Sequence, residues 1–422
     1  MLFYLSLSLF SLLLAGFFGL LIALTRTPAV SLLKSPELFY HFLVGHVTFS
    51  ITLWLMSFTL AYWHYKEGRK GRVAPPATLL GMLLLSLSCL LPYGEPYLNN
   101  YIPVIAHPLF YAGLSIFFFG FFVEALLRLS SLRGLKEGTL SKQLYALSLL
   151  LGLLTVLSLL PSFFIAHQEG GMKLYFERLF WIPGHLQQFM YTSVMLAVWH
   201  ELLKRSSGIS LESSLLKVSN LLLLYTSLLL LTGFFFGDPL SDRFRLVVVF
   251  SFGVGMGVPL LVHSLYILKS LKKGFSVATL SLLLSMGIYH LGAFIAYGGM
   301  RSDLRIPAHY HGVVSGVSIA FMGFTYYLLK EKLGHVVWDR LAKWQAPLFG
   351  LGINLLVFGF YLAGRMGAPR KTYGFEYAGD VMVLFALNMV GLGGVLAVIG
   401  GLLFLAYAGA TLWRSYGNGR TF

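Results

Sequence analysis

Ala308-His309-Tyr310-His311-Gly312 opens an apolar run that continues to about Leu329. Imidazoles are costly inside a bilayer, so an intramembrane pair points to a functional site. Spacing adds geometry. Positions i and i+2 point roughly 200° apart on a helix of 3.6 residues per turn. His309 and His311 therefore face opposite sides of one helix and cannot hold one metal between them. They can serve two cofactors, one on each flank.

The surrounding chain is that of a polytopic helical membrane protein: 422 residues, 57% apolar and 11% charged, with mean hydropathy +0.77. Twelve apolar runs, at about 2–24, 38–63, 76–92, 102–127, 143–165, 184–203, 213–236, 245–268, 275–298, 309–329, 344–364 and 381–413, are expected to be transmembrane helices. The predicted fold is all-α, a twelve-helix bundle in which residues 1–422 form a single transmembrane domain. The first run lacks a basic leader and is expected to be retained. Of the 31 Lys and Arg, 19 follow even-numbered spans, among them Lys66, Arg69, Lys70 and Arg72, and on to Arg420. Eleven follow odd-numbered spans and Lys217 starts the seventh. This asymmetry puts both termini in the cytoplasm and accounts for the net charge of +15 without a nucleic-acid partner. Cys89 is the single cysteine, which excludes intrachain disulfides and cysteine-rich metal clusters. The glycines scattered through the spans suit close helix packing.

Following chain direction gives each histidine a depth. His41, His46, His107, His185, His290, His309 and His311 fall in the outer half of the membrane, seven of the twelve, although they are far apart in sequence. His64, His200, His263 and His335 lie toward the cytoplasmic side, where ordinary interfacial placement suffices, and His167 is in an outer loop. A single intramembrane histidine is usually a hydrogen-bonded structural residue. Convergence from several helices is what axial ligation of a buried haem requires. A proton-relay transporter would add buried carboxylates, and the spans hold few: Glu124 near the inner end of the fourth and Asp380 at the edge of the twelfth. Haem ligation is favoured.

At these residues the chain resembles subunit I of the haem–copper oxidase superfamily, the catalytic subunit of cytochrome c oxidases and their relatives, over nearly its whole length. Ala308-His309-Tyr310-His311 is similar to the family's Ala-His-aromatic-His. The resemblance implies that His309 binds a high-spin haem and His311 a low-spin haem, with His46 of span two as the second low-spin ligand. His41 lies about 140° around the helix from His46 and does not share that role. Gly367-Ala368-Pro369-Arg370-Lys371-Thr372-Tyr373 resembles the family's Gly-x-Pro-Arg-Arg segment, which implies that Arg370 and Lys371 bind haem propionates.

The copper site departs from that pattern. Trp181-Ile182-Pro183-Gly184-His185 resembles the span-six motif, making His185 a residual copper position. Around Gly237-Asp238-Pro239 the span-seven match places Gly233-Phe234 where two histidines belong. Phe189 stands where many oxidases carry a tyrosine, and Leu186, Gln187 and Gln188 stand where some carry an acid. No lysine lies in the middle of span eight. One imidazole is a poor copper site, so copper is expected to be absent or weakly bound.

The resemblance implies two haems of unspecified type. It also implies an oxidoreductase taking electrons from cytochrome c or quinol to O2 or NO, with His309 and His185 at the reacting end and Gly233 and Phe234 beside them. Other oxidase-complex subunits and the lipid bilayer are the expected partners, in a prokaryotic cytoplasmic membrane. A haem-only electron-transfer subunit and a cofactor-free proton or solute transporter are the alternative readings.

Overall fold

In the computed structural model of the protein, residues 1–30, 35–69, 71–136, 138–272, 274–334, 336–371 and 380–417 are described. Lys70, His335, Thr372, Tyr373 and Arg420 lie outside the described residues. Each of the twelve expected spans coincides with a helical segment. Spans one to six are Leu2–Thr25, Pro36–Lys66, Ala74–Leu90, Pro108–Leu126, Leu140–Ile165 and Met172–Ser207. Spans seven to twelve are Ser214–Phe235, Asp242–Ser270, Val277–Tyr297, Arg305–Leu333, Asp339–Arg365 and Val381–Gly417. Among the described residues, 10 helices are long and apolar enough to cross a membrane. Of the other two, span three is apolar but has only 17 residues, about 26 Å at 1.5 Å per residue. Span six has 36 residues and dilutes its apolar stretch with polar side chains.

The chain divides into two compact units. The first comprises Met1–Leu7 and Leu55–Leu271, the second Ser8–Trp54 and Lys272–Phe422. In the first, Trp63 is buried among spans two, four and five. It donates to Ser148 Oγ at 3.0 Å and meets Phe121 at 4.9 Å. Glu124 is buried too, receiving the Tyr4 hydroxyl at 2.8 Å, His64 Nε2 at 3.0 Å and the Arg128 guanidinium. This intramembrane carboxylate is a paired structural group, since a buried charge persists only when compensated. Between spans three and four, a hairpin pairs β1 (Glu95–Tyr97) with β2 (Val104–Ala106). Burial by itself would raise the carboxyl of Asp238, in the loop after span seven. The Arg178 fork and the Leu240 amide outweigh burial and hold it below the carboxylate range.

The second unit is centred on an aliphatic cluster from spans nine to twelve, including Ile288, Ile319, Ile353, Val357, Leu387 and Val390. Trp54 donates to Ser318 Oγ at 3.0 Å and fixes span two against span ten. Thr48–Leu53 of span two adopts π-helical pairing, a form that concentrates at functional sites. Ser11 of span one donates to the Phe49 carbonyl at 2.8 Å, satisfying a backbone group within that segment. Asp380 accepts the Met382 amide at 2.7 Å and so starts span twelve.

Candidate functional site

His46 and His311 meet in the second unit. Their rings are 6.2 Å apart between centroids and 16° from parallel. One ion bonded to two imidazole nitrogens at about 2 Å each places the ring centres roughly 6 Å apart. Each ring is fixed from behind. His46 Nδ1 donates to the Ala15 carbonyl at 2.9 Å, and His311 Nδ1 donates to the Pro307 carbonyl at 2.7 Å. A carbonyl only accepts, so both Nδ1 atoms carry hydrogen and both Nε2 atoms carry lone pairs. That is the arrangement metal-ligating histidines use, with a backbone partner fixing the tautomer.

Close backbone approach makes this geometry. A Cβ on Gly19 would lie 2.8 Å from His46 Nδ1 and Cε1, so only glycine leaves space for the ring there. Phe360 of span eleven meets the His311 ring at 5.3 Å. The Trp54–Ser318 bond lies two turns along both ligand-bearing helices and sets their separation.

His309 points elsewhere, as the i, i+2 spacing requires. Its Nδ1 donates to the Gly292 carbonyl of span nine at 2.8 Å, leaving Nε2 as a lone pair. Gly292 and Gly312 face each other so closely that a Cβ on either would strike the other's backbone. This small-residue crossing brings the carbonyl within reach.

The second sequence match joins the first in space. Leu304 donates its amide to the Ala368 carbonyl at 3.1 Å, and Asp303 bridges Pro369. The segment carrying Arg370 and Lys371 is thus bound to the start of span ten, just before the two histidines. Lys371 has φ 55°, in the left-handed region. Asp303 and Arg305 form a two-pronged ion pair, with Arg305 Nη2 donating at 2.7 Å. Burial raises the Asp303 carboxyl, but Arg305 hydrogen bonding and the charges of Arg305 and Arg301 win and hold it below its usual range. Arg370 lies within electrostatic reach of Tyr310, and so does Arg26. Arg26, 7% exposed at the end of span one, also acts on His311 and packs over Phe39 at 5.5 Å. Sequence reading missed Arg26. The available signal was a cation closing an apolar helix that faces span two.

His185 is in the first unit and is engaged on both sides. Its Nδ1 donates to the Trp181 carbonyl at 2.6 Å, so Nε2 is the lone-pair nitrogen, and Tyr101 donates its hydroxyl to it at 2.8 Å. Tyr101 comes from the β1–β2 loop. Glu177 of span six holds that loop by accepting the Asn100 amide at 3.0 Å and its side-chain nitrogen at 2.5 Å. Trp181 and Phe252 complete an aromatic surround. At Gly233, a Cβ would run into Phe244 and Ile182. A side chain there would require Phe244 and Ile182 to shift. The one histidine has both nitrogens hydrogen-bonded to protein, and span seven carries no histidine.

The other histidines separate by partner. His107 caps span four, accepting the Leu109 amide at 3.3 Å, and His290 donates to the Met286 carbonyl at 2.7 Å. His41 is buried. His167 lies near Glu169, 3.6 Å away. His200 and His263 depart from the expected interfacial placement: they bond to each other at 2.7 Å, and His263 is fully buried.

Residues 1–396 match the family model of cytochrome c and quinol oxidase polypeptide I. The chain belongs to this family. Among family members, quinol oxidase subunit 1 of Bacillus spizizenii is 24% identical over 54% of this chain and 37% of its own length. An uncharacterised protein of Aquifex aeolicus is 33% identical over 81% of this chain and 86% of its own. A solved structure of a haem–copper terminal oxidase dimer superposes with TM-score 0.74 and 16% identity, covering 97% of this chain and 83% of that one. The fold is that of oxidase subunit I, an all-α polytopic membrane protein.

Proposed function

We propose that this chain is the haem-binding subunit of a respiratory oxidoreductase, carrying a low-spin haem on His46 and His311 and a high-spin haem on His309. The observation that carries the reading is the His46–His311 pair: near-parallel rings at the right separation, tautomers fixed and lone pairs free. Bound haem supplies one-electron chemistry at iron. The chain's own residues hold and tune it. The Ala15, Pro307 and Gly292 carbonyls lock the three imidazoles as Nε2 ligands, and Arg370, Lys371 and Arg26 supply positive charge for the propionates. Electrons enter from a periplasmic cytochrome c or a quinol, reach the His46/His311 side and continue to the His309 side, where O2 or NO binds. His185 and Tyr101 together argue against a copper partner. The sites lie in a prokaryotic cytoplasmic membrane with both termini inside, in a complex with other oxidase subunits.

A second reading, a haem-only electron conduit without terminal reductase activity, draws support from that same occupied His185. Reduced-minus-oxidised spectra of the purified complex, with and without carbon monoxide, separate the two. Low-spin and carbon-monoxide-binding high-spin haem together, with about two irons and little copper per chain, support the proposed reductase. Two haems with no carbon monoxide response favour the conduit. A colourless folded protein removes both and returns the chain to the transporter reading.

A further inference from the structure

The first unit contains a buried polar chain that includes none of His46, His309 or His311. His200 of span six places Nε2 2.7 Å from His263 Nδ1 of span eight. His263 Nε2 lies 3.0 Å from Asn220 Oδ1 of span seven. Asn220 Nδ2 donates to Gln143 Oε1 of span five at 2.9 Å, and Gln143 Nε2 donates to the Leu135 carbonyl at 3.5 Å.

The backbone end of this chain sets the direction of every bond. A backbone carbonyl only accepts, so Gln143 presents its nitrogen to Leu135 and its oxygen to Asn220. Asn220 answers with nitrogen and turns its own oxygen to His263. His263 Nε2 then carries hydrogen, which makes its Nδ1 an acceptor in the neutral ring. His200 donates to it from Nε2, and His200 Nδ1 is left with a lone pair. That nitrogen is buried and has no hydrogen-bond partner among the described residues. A buried basic nitrogen at the open end of an ordered chain is a proton acceptor with nothing yet to accept.

We propose that His200 and His263 are one proton-binding unit, loaded at His200 Nδ1 and sharing the charge across their mutual hydrogen bond. Loading forms an N–H bond at His200 Nδ1. The Nε2 hydrogen of His200 can then pass to His263 Nδ1, so the positive charge rests on either ring. It goes no further. Asn220 accepts a hydrogen bond from His263, but a carboxamide does not take up and release a proton near neutral pH. The pair is a storage site with a stop at one end, not a wire through the membrane. Glu201 follows His200 on span six. Its carboxylate is held by Lys66 at 3.0 Å and Arg205 at 2.7 Å. The basic-residue distribution assigns this end of spans six and eight to the cytoplasm, so protons would load from that side.

The test is a pH titration of the full-length protein in lipid nanodiscs, read by infrared difference spectra with 15N-histidine labelling. The wild type should take up one proton per chain in imidazole bands that disappear in His200→Gln. Glutamine keeps the donor toward His263 but has no basic nitrogen. In His263→Gln the proton affinity of His200 should fall at least about tenfold, one pH unit. An unchanged titration in His200→Gln, or an unchanged affinity in His263→Gln, overturns the proposal. If either variant fails to fold, nitrogen chemical shifts of the wild type decide. At high pH His200 should be protonated on Nε2 alone. At low pH the two rings should share one averaged charge, and separate, independent titrations overturn the pair.

Discussion

His311 and His185 each lie on a long helix and donate Nδ1–H to the carbonyl four residues back, at 2.7 and 2.6 Å. In both, that bond leaves Nε2 as the only nitrogen able to bind a metal. They differ in what meets it. His311 faces a second imidazole, whose own backbone bond leaves a matching lone pair. His185 faces the Tyr101 hydroxyl, which uses the lone pair. A histidine in a metal-binding motif is therefore only half described by its sequence position. The partner of the second nitrogen decides whether it can ligate.

Breaking the ligand pair should have the largest effect. His46→Ala or His311→Ala should abolish the six-coordinate low-spin signal and leave the high-spin one, while His309→Ala should do the reverse. An unchanged high-spin spectrum in His309→Ala removes that assignment, and a surviving low-spin signal in both other variants ends the comparison.

Tyr101→Phe sharpens the other side. The phenyl ring keeps the packing on Trp181 but strands His185 Nε2 in a buried site, at a cost of about 1–3 kcal/mol in stability. Thermal unfolding should register that loss. Copper content should stay near zero, because span seven still carries no histidine. Stoichiometric copper in the variant would mean that the phenol alone excludes the metal.

How much of this could be read in the sequence follows from the range of the interactions. Apolar runs are a local signal, so most of the twelve spans could be placed to within a few residues, but span four starts only at Pro108, after the strand Val104–Ala106, and span six extends from Met172 to Ser207. His46, His309 and His311 could be singled out because intramembrane imidazoles are rare and i, i+2 spacing fixes opposite faces. Tyr101 could not. It comes from the β1–β2 loop, 84 residues from His185, and neither periodicity nor composition points to it. His200 and His263 looked like ordinary interfacial residues because their pairing depends on a helix crossing, which no local pattern encodes. The π-helical turn after His46 was likewise invisible, since its residues are as apolar as their neighbours.

Charge near the imidazoles offers a smaller, graded test. Arg370→Ala and Arg26→Ala each remove a cation that acts on Tyr310, which lies between the two ligands. A positive charge favours the reduced haem, so each midpoint potential should fall. For a partly screened charge the effect is on the order of 1 kcal/mol, roughly 40 mV for one electron. Spectroelectrochemical titration measures this. A shift in Arg26→Ala alone would show that span one, not the loop before span twelve, supplies the field.

The smallest effect should come from acid. Asp303 stands just before span ten, its backbone bridged to Pro369, and has a carboxyl pushed below its usual range, so its folded form binds a proton less readily than the unfolded chain. The stability it adds is therefore fully present above the unfolded value, about 3.9, and is lost as the pH falls through the lower folded value. At neutral pH the ion pair with Arg305 is intact. Asp303→Asn, by contrast, weakens it at every pH. The low-spin haem potential should then be flat from neutral to about pH 4 in the wild type and displaced throughout in Asp303→Asn, because the Arg305 guanidinium at the start of span ten loses its counter-charge. A wild-type potential that moves in step with a group near pH 6 would place control on a histidine instead of Asp303.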